Sequence, residues 1–262
     1  MQRTSLKVAL GQLRVDGGQP KVNLKRALDM ITEAGNRGCD IIVLPECLDL
    51  GWTDASAHDL AQPIPGEYSQ QLCEAARSAA IHVVAGLVER DGDALYNSAI
   101  LISAAGEILL KHRKINELEI AQKLYSRGTS LSVAHTEMGC IGITICADNF
   151  PNSLMLAQSL RQMGAQLLLS PSAWAVDADH DNQREPYGDL WRESYTLLAH
   201  DFELPVIGVS NVGLITTGPW AGKKCIGCSL AMSRDAEVLA QGNYGEDAEQ
   251  LLVVEIDLRQ AQ

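Results

Sequence analysis

The sequence predicts an α/β protein, a four-layer α-β-β-α sandwich with two pseudo-repeated halves. Three observations carry this prediction. The runs DIIVLPE (residues 40–46) and QLLLSPS (166–172) are short and continuously apolar, the pattern of strands covered on both faces. Each half of the chain runs in the same order: helix, buried strand, helix, strand, strand. Glu46 and Ser172 therefore end equivalent strands, about 126 residues apart. Two such halves can bury their sheets against each other and keep the helices outside. No Pro/Ser/Gly-rich linker or charge run separates them, so a single domain over residues 1–262 is expected.

The elements follow in order. KVALGQL opens the chain as a strand. Leu24, Ala27, Leu28, Ile31 and Ala34 then recur at three- and four-residue spacing, which predicts a helix, with Asn23 at its start and Gly38 past its end. DIIVLPE follows as a buried strand stopped by proline. A second helix is expected over residues 69–81, marked by Leu72, Ala76 and Ala79. HVVAGLVER and ALYNSAILI read as strands joined by the turn Asp91-Gly92-Asp93, and EILLKHRK extends them into a meander. In the second half, strand GCIGITIC precedes a helix carrying Leu156, Leu160 and Met163, and QLLLSPS follows. A helix over about 186–202, then LPVIGVSNVG, CSLAMSR and EVLAQG complete the repeat, and LLVVEIDL is a last apolar strand.

Composition narrows the function. With 46% hydrophobic and 21% charged residues the chain is an ordinary globular protein that buries a full core without staples. Lys and Arg number 21 against 33 Asp and Glu, a formal net charge of −12. The densest basic cluster, Lys111-His112-Arg113-Lys114, is too short to carry a phosphate backbone, so nucleic acid is not an expected partner. The longest uncharged stretch, 204–222, is broken by Pro, Gly, Ser, Asn and Thr, so no membrane partner is expected either. MQRTSLKVAL has no apolar core followed by a cleavage site, and the odd number of cysteines, seven, fits reduced thiols. A cytoplasmic setting is expected. Cys225 and Cys228 have no second pair to complete a zinc site and read as packing residues.

The chain lacks a G-x-S-x-G elbow, a phosphate-binding loop, a dinucleotide fingerprint and His-Glu-x-x-His. What remains is three polar residues at strand ends: Glu46 after DIIVLP, Lys114 after EILLKHR and Cys146 after GCIGITI. Sheets fix such positions and loops leave them open to substrate. Taken singly, each has an ordinary reading: a solvated loop charge, one member of a solvated basic run, a small core residue. Together they form a chemical set. Cys146 stands where a strand turns toward a helix, near backbone N–H groups. A carboxylate can take its proton if burial raises the carboxyl pKa, and an ammonium can stabilise negative charge on the attacked oxygen.

The segments LPECLDLGW, HRKINELE and ICADNFPN, with IGVSNVG and GCSLAMSRDAEVLAQG, resemble the nitrilase superfamily of carbon–nitrogen hydrolases over almost the whole chain. That resemblance implies the same four-layer sandwich and a catalytic triad of Glu46, Lys114 and Cys146, with an oxyanion hole formed by Lys114 and the Ala147 N–H. It implies a further glutamate downstream of the lysine; Glu117 and Glu119 are the candidates and Glu119 is preferred. Trp174 and Trp52 match positions that line the substrate pocket. It also implies no metal and no cofactor, a small-molecule amide or carbamoyl substrate, and a homo-oligomer, with a dimer favoured.

Members that hydrolyse nitriles follow the cysteine with Trp-Glu-Asn, whereas this chain has Ala147-Asp148-Asn149. An amide or N-carbamoyl substrate is therefore expected, through a thioester, with release of ammonia or an amine. Nitrile hydrolysis is the alternative within the family; a non-catalytic ligand-binding scaffold of the same fold, a thiol redox protein and acyl transfer to an acceptor other than water are the others. Arg127, Arg184 and Arg192 are candidates for holding a substrate carboxylate.

Overall fold

The computed structural model describes residues 5–258. The first half contains β1 (Ser5–Gln12), α1 (Pro20–Asn36), β2 (Ile41–Val43), α2 (Ala57–Leu60), α3 (Glu67–Ala79), β3 (His82–Asp91), β4 (Ala94–Ile102) and β5 (Ile108–Arg113). The second contains β6 (Val133–Thr136), β7 (Gly139–Ile143), α4 (Leu154–Gln162), β8 (Leu167–Ser172), β9 (Ala175–Val176), α5 (Gly188–Phe202), β10 (Val206–Ser210), β11 (Val212–Leu214), β12 (Lys224–Ile226), β13 (Leu230–Met232) and β14 (Val238–Gln241). The last strand is β15 (Gln250–Asp257).

The expected repeat is visible as topology. One six-stranded sheet has the order β15-β1-β2-β3-β4-β5 and the other β14-β13-β10-β8-β7-β6. In each, three central strands run parallel: β1, β2 and β3 in the first, β7, β8 and β10 in the second. In each, an antiparallel pair continues one side and a single antiparallel strand closes the other. Helices α1 and α3 occupy the crossovers of the first half, and α4 and α5 those of the second. The C-terminal β15 returns to pair with β1, from Ser5↔Asp257 to Gln12↔Gln250.

Successive strand residues point to opposite faces, which explains the unbroken apolar runs. Val8, Leu10, Ile41 and Val43 pack toward the second sheet, with Ile141, Ile143 and Leu168 in the same core. Ala9, Ile42, Val83 and Ala85 pack outward against Leu24, Ala27 and Ile31 of α1 and Leu72 and Ala76 of α3. No helix among the described residues is long and apolar enough to cross a membrane.

Two local expectations are corrected. Helix α1 starts at Pro20, whose missing N–H suits a first helical position. Asn23 lies inside the helix; its amide bonds to the Asp16 backbone and donates to the Asp49 carbonyl at 2.9 Å. The segment LPVIGVSNVG is two strands in different sheets, because beyond Ser210 the chain crosses to the residues that follow β1. Val212 donates to Leu13 O and its own carbonyl accepts from Val15 N, both at 3.0 Å. Strands β11, β12 and β9 form a small third sheet that the sequence pattern did not announce.

Candidate active site

Glu46 follows β2 across Leu44-Pro45 and sits where the two sheets meet. Its N–H donates to Ser172 O at the end of β8, at 3.2 Å, so the two equivalent strand ends touch. On the other side, Gly86 N–H donates to Pro45 O at 3.0 Å and Leu48 N–H to Gly86 O at 2.9 Å. A Cβ on Gly86 would stand 2.5 Å from Glu46 Cα, so only glycine allows this approach.

Lys114 directly follows β5, and its N–H donates to Asn97 O of β4 at 2.9 Å. Its side chain runs inward: Lys114 and Glu46 are each 1% exposed. Lys114 Nζ donates to Glu46 Oε1 at 2.7 Å, and the same oxygen accepts from Asn97 Nδ2 at 2.5 Å. Burial alone pulls the lysine pKa down, but the charge of Glu46 and its hydrogen bond outweigh it and hold the group well above the ordinary lysine value. Lys114 is an ammonium.

Cys146 opens the tight turn Cys146–Asn149 with φ of 45°. It is 8% exposed, and its N–H donates to Ser170 Oγ of β8 at 3.2 Å. Burial pushes the thiol pKa up, the Glu46 carboxylate beside it pushes further, and Lys114 and the Ala173 amide pull it back. The sulfur thus rests as a thiol, its proton held against the negative charge of Glu46. Ala147 is the second residue of the turn, where an N–H has no carbonyl to pair with inside the helix.

One carboxylate ties the lysine loop to the cysteine turn. Asp148 Oδ1 accepts from Asn116 N at 2.8 Å and Ile115 N at 3.1 Å. Asp148 Oδ2 accepts from Ile145 N at 3.0 Å and meets His112 Nε2 at 2.9 Å. Burial pushes its pKa up, yet His112 and the Asn116 amide leave it below the usual carboxylate value. Asn116 Nδ2 adds a bond to Ala147 O at 2.8 Å.

The sequence model of the family described as carbon-nitrogen hydrolase matches residues 7–262. The chain belongs to the carbon–nitrogen hydrolase family. A nitrilase of Pyrococcus abyssi is 32% identical over 260 residues, covering 97% of this chain and 90% of its own. An omega-amidase of Mus musculus is 34% identical over 181 residues, covering 65% of this chain and 64% of that relative. The crystal structure of a carbon–nitrogen hydrolase from Helicobacter pylori G27 superposes with a TM-score of 0.86, at 21% identity, over 98% of this chain and 91% of that one. The shared fold is the sandwich described above.

In this carbon–nitrogen hydrolase, Lys114 and Glu46 form one buried pair, and Cys146 lies near enough for both charges to act on its thiol. The preference for Glu119 is corrected. Glu119 is exposed and opens the short turn Glu119–Ala121, lining a surface cavity of about 570 Å³ with Thr53, His58 and Lys123. Glu117, three residues past Lys114, turns back into the site with Oε2 4.0 Å from Lys114 Nζ. It is buried, neither of its oxygens has a hydrogen-bond partner, and burial raises its pKa to about 8 against the pull of Lys114.

Both tryptophans sit in aromatic pairs. Trp174, 1% exposed, stacks on Trp191 at 4.5 Å, and Trp191 on Phe150 at 5.2 Å. Trp52 packs against Trp220 at 4.6 Å. Ring packing buries both, and Trp52 also borders a small cleft with Val15, Asp54 and Cys225. Arg127, Arg184 and Arg192 are exposed, and Arg192 is bonded to Gln241. Cys225 and Cys228 are free, buried thiols, their pKa values raised by burial to about 12 and about 11. Such thiols react slowly. Asn97, Asp148 and Ser170 are site residues that sequence reasoning missed; only Asp148, at the third position of a turn after Cys146, left a trace of its capping role.

Proposed function

We propose that the protein hydrolyses the C–N bond of a small amide or N-carbamoyl compound through a thioester on Cys146. The observation that carries this reading is the convergence of three distant segments: a buried Lys114–Glu46 pair at 2.7 Å beside the thiol of Cys146. A thiol with a raised pKa needs a base, and Glu46 is that base. It takes the thiol proton as sulfur bonds to the substrate carbon, while Lys114 and the Ala147 N–H hold the oxyanion. Glu46 passes the proton to nitrogen, the C–N bond breaks, and ammonia or an amine departs. Water then gives its proton to Glu46 and attacks the thioester. The C–S bond breaks, the acid product leaves, and the sulfur recovers its proton. Glu117, with a pKa near 8, holds a proton at neutral pH and offers it to the substrate as a hydrogen-bond donor. Ala147-Asp148-Asn149 in place of Trp-Glu-Asn favours an amide or N-carbamoyl substrate over a nitrile.

The test uses a panel of small amides, N-carbamoyl amino acids and nitriles, with ammonia release as the readout. Cys146→Ala should abolish turnover and any covalent adduct seen by intact mass, with thermal unfolding preserved. Lys114→Ala should lower kcat by about 10²–10³-fold. Turnover surviving in Cys146→Ala refutes the reading, and consumption of nitriles alone corrects the substrate class.

A further inference from the structure

The two oxygens of Glu46 are not equivalent. Oε1 accepts from both Lys114 Nζ and Asn97 Nδ2, whereas Oε2 is buried with no hydrogen-bond partner. The terminal torsion of a glutamate is broad and nearly two-fold, so nothing intrinsic decides which oxygen faces the sulfur. Two donors on one oxygen decide it. Lys114 is one, and its ammonium is also required by the oxyanion. The second is Asn97.

Asn97 is fully buried on β4. A buried asparagine kept for packing pairs its amide with nearby backbone, as Asn23 does in this protein. The side chain of Asn97 instead bonds to two side chains at the turn after β2. Its Nδ2 donates to Glu46 Oε1, and its Oδ1 accepts from the Cys47 thiol at 3.5 Å. Cys47 in turn lies 3.8 Å from Tyr125 Oη, which accepts from Thr53 N–H at 3.0 Å. The thiol thus fixes the amide nitrogen toward Glu46. The backbone of the same residue anchors Lys114 through Asn97 O. One position sets the geometry of both charged partners.

We infer that Asn97 is a positioning residue of the hydrolysis: its donation to Oε1 holds the carboxylate rotated so that Oε2 is the atom that takes the Cys146 proton. This rests on Glu46 being the base. A double-mutant cycle on Asn97→Ala and Glu46→Gln tests it, read as the rate of Cys146 alkylation by iodoacetamide across pH, located by peptide mass. Asn97→Ala should slow alkylation about 10–100-fold. In the Glu46→Gln background the same change should have no further effect. Independent, multiplying effects overturn the inference, as does wild-type reactivity of Asn97→Ala. Wild-type reactivity of Glu46→Gln refutes the base itself and the inference with it.

The isosteric Asn97→Asp covers the case in which the alanine variant does not fold. An aspartate can donate to Oε1 only when it carries a proton. Alkylation should therefore be slow at neutral pH, and its rate relative to the parent should rise toward lower pH. A pH profile parallel to the parent's assigns Asn97 to packing alone and overturns the inference.

Discussion

Replacing Asp148 by asparagine removes one charge and one acceptor from a buried knot. The carboxylate accepts from three backbone amides, those of Ile115, Asn116 and Ile145, and meets His112. An asparagine offers one oxygen. If that oxygen takes the Oδ1 place, the Ile145 N–H faces another donor; if the amide flips, Ile115 and Asn116 lose theirs. Either way at least one buried N–H is left unpaired, which costs about 1–3 kcal/mol. The bonds that survive change from charge-assisted to neutral, roughly halving each. The sum is about 2–4 kcal/mol, and a chain of this size loses about 2–3 °C of Tm per kcal/mol. Asp148→Asn should therefore melt about 4–12 °C lower by calorimetry. Turnover should fall about 10²-fold, because the knot sets the spacing between Lys114 and Cys146. The exposed pair Lys25–Asp29, at 2.6 Å, provides the contrast: Asp29→Asn should change stability by less than about 1 kcal/mol. A wild-type Tm and wild-type kcat in Asp148→Asn refute the claim that this carboxylate joins the two loops.

Two further outcomes are expected. Glu117 has its pKa raised from 4.5 to about 8, so its burial favours the protonated acid. Its contribution to stability is complete below about pH 4.5 and is lost as pH rises through about 8, a change on the order of 5 kcal/mol. Glu117→Gln should flatten the fall of Tm over that window, and an unchanged slope contradicts the assignment. Gly86→Ala places a methyl 2.5 Å from Glu46 Cα and 2.7 Å from Pro45 O. Backbone must move, so stability should drop by about 1–3 kcal/mol. Steady-state kinetics should also show kcat falling more than KM changes, since the displaced group is the proposed base.

The apolar runs made the central strands legible because both faces of β2 and β8 meet apolar partners, and that requirement leaves a continuous signature. The strand ends carrying Glu46 and Cys146 were legible for a related reason, since a polar residue directly after such a run is conspicuous, whereas Lys114 ends a basic cluster and stood out only beside the other two. Asn97 was not. In ALYNSAILI it falls within the strand, where a polar residue ordinarily faces water, and only the pairing of β3, β4 and the Glu46 turn makes it internal. Glu117 and Glu119 differ by two residues, and the curl of the chain after Lys114, fixed by Asp148 from a remote segment, decides which one turns inward. Trp174 reads equally as wall or core until Trp191, on a distant helix, is seen stacked against it. The split of LPVIGVSNVG depends on Leu13 and Val15, some 200 residues earlier, which no local pattern reports.

The bond from Glu46 N to Ser172 O joins groups held by different sheets. In the proposed mechanism, base and ammonium ride on the first half and the nucleophile on the second, so neither half alone owns a working centre. Catalytic competence is then an interfacial property of one polypeptide, and it must arise late in folding, when the two layers dock. Any slip between the layers, however well each keeps its own hydrogen bonds, silences the enzyme, which makes turnover a sensitive gauge of their registration.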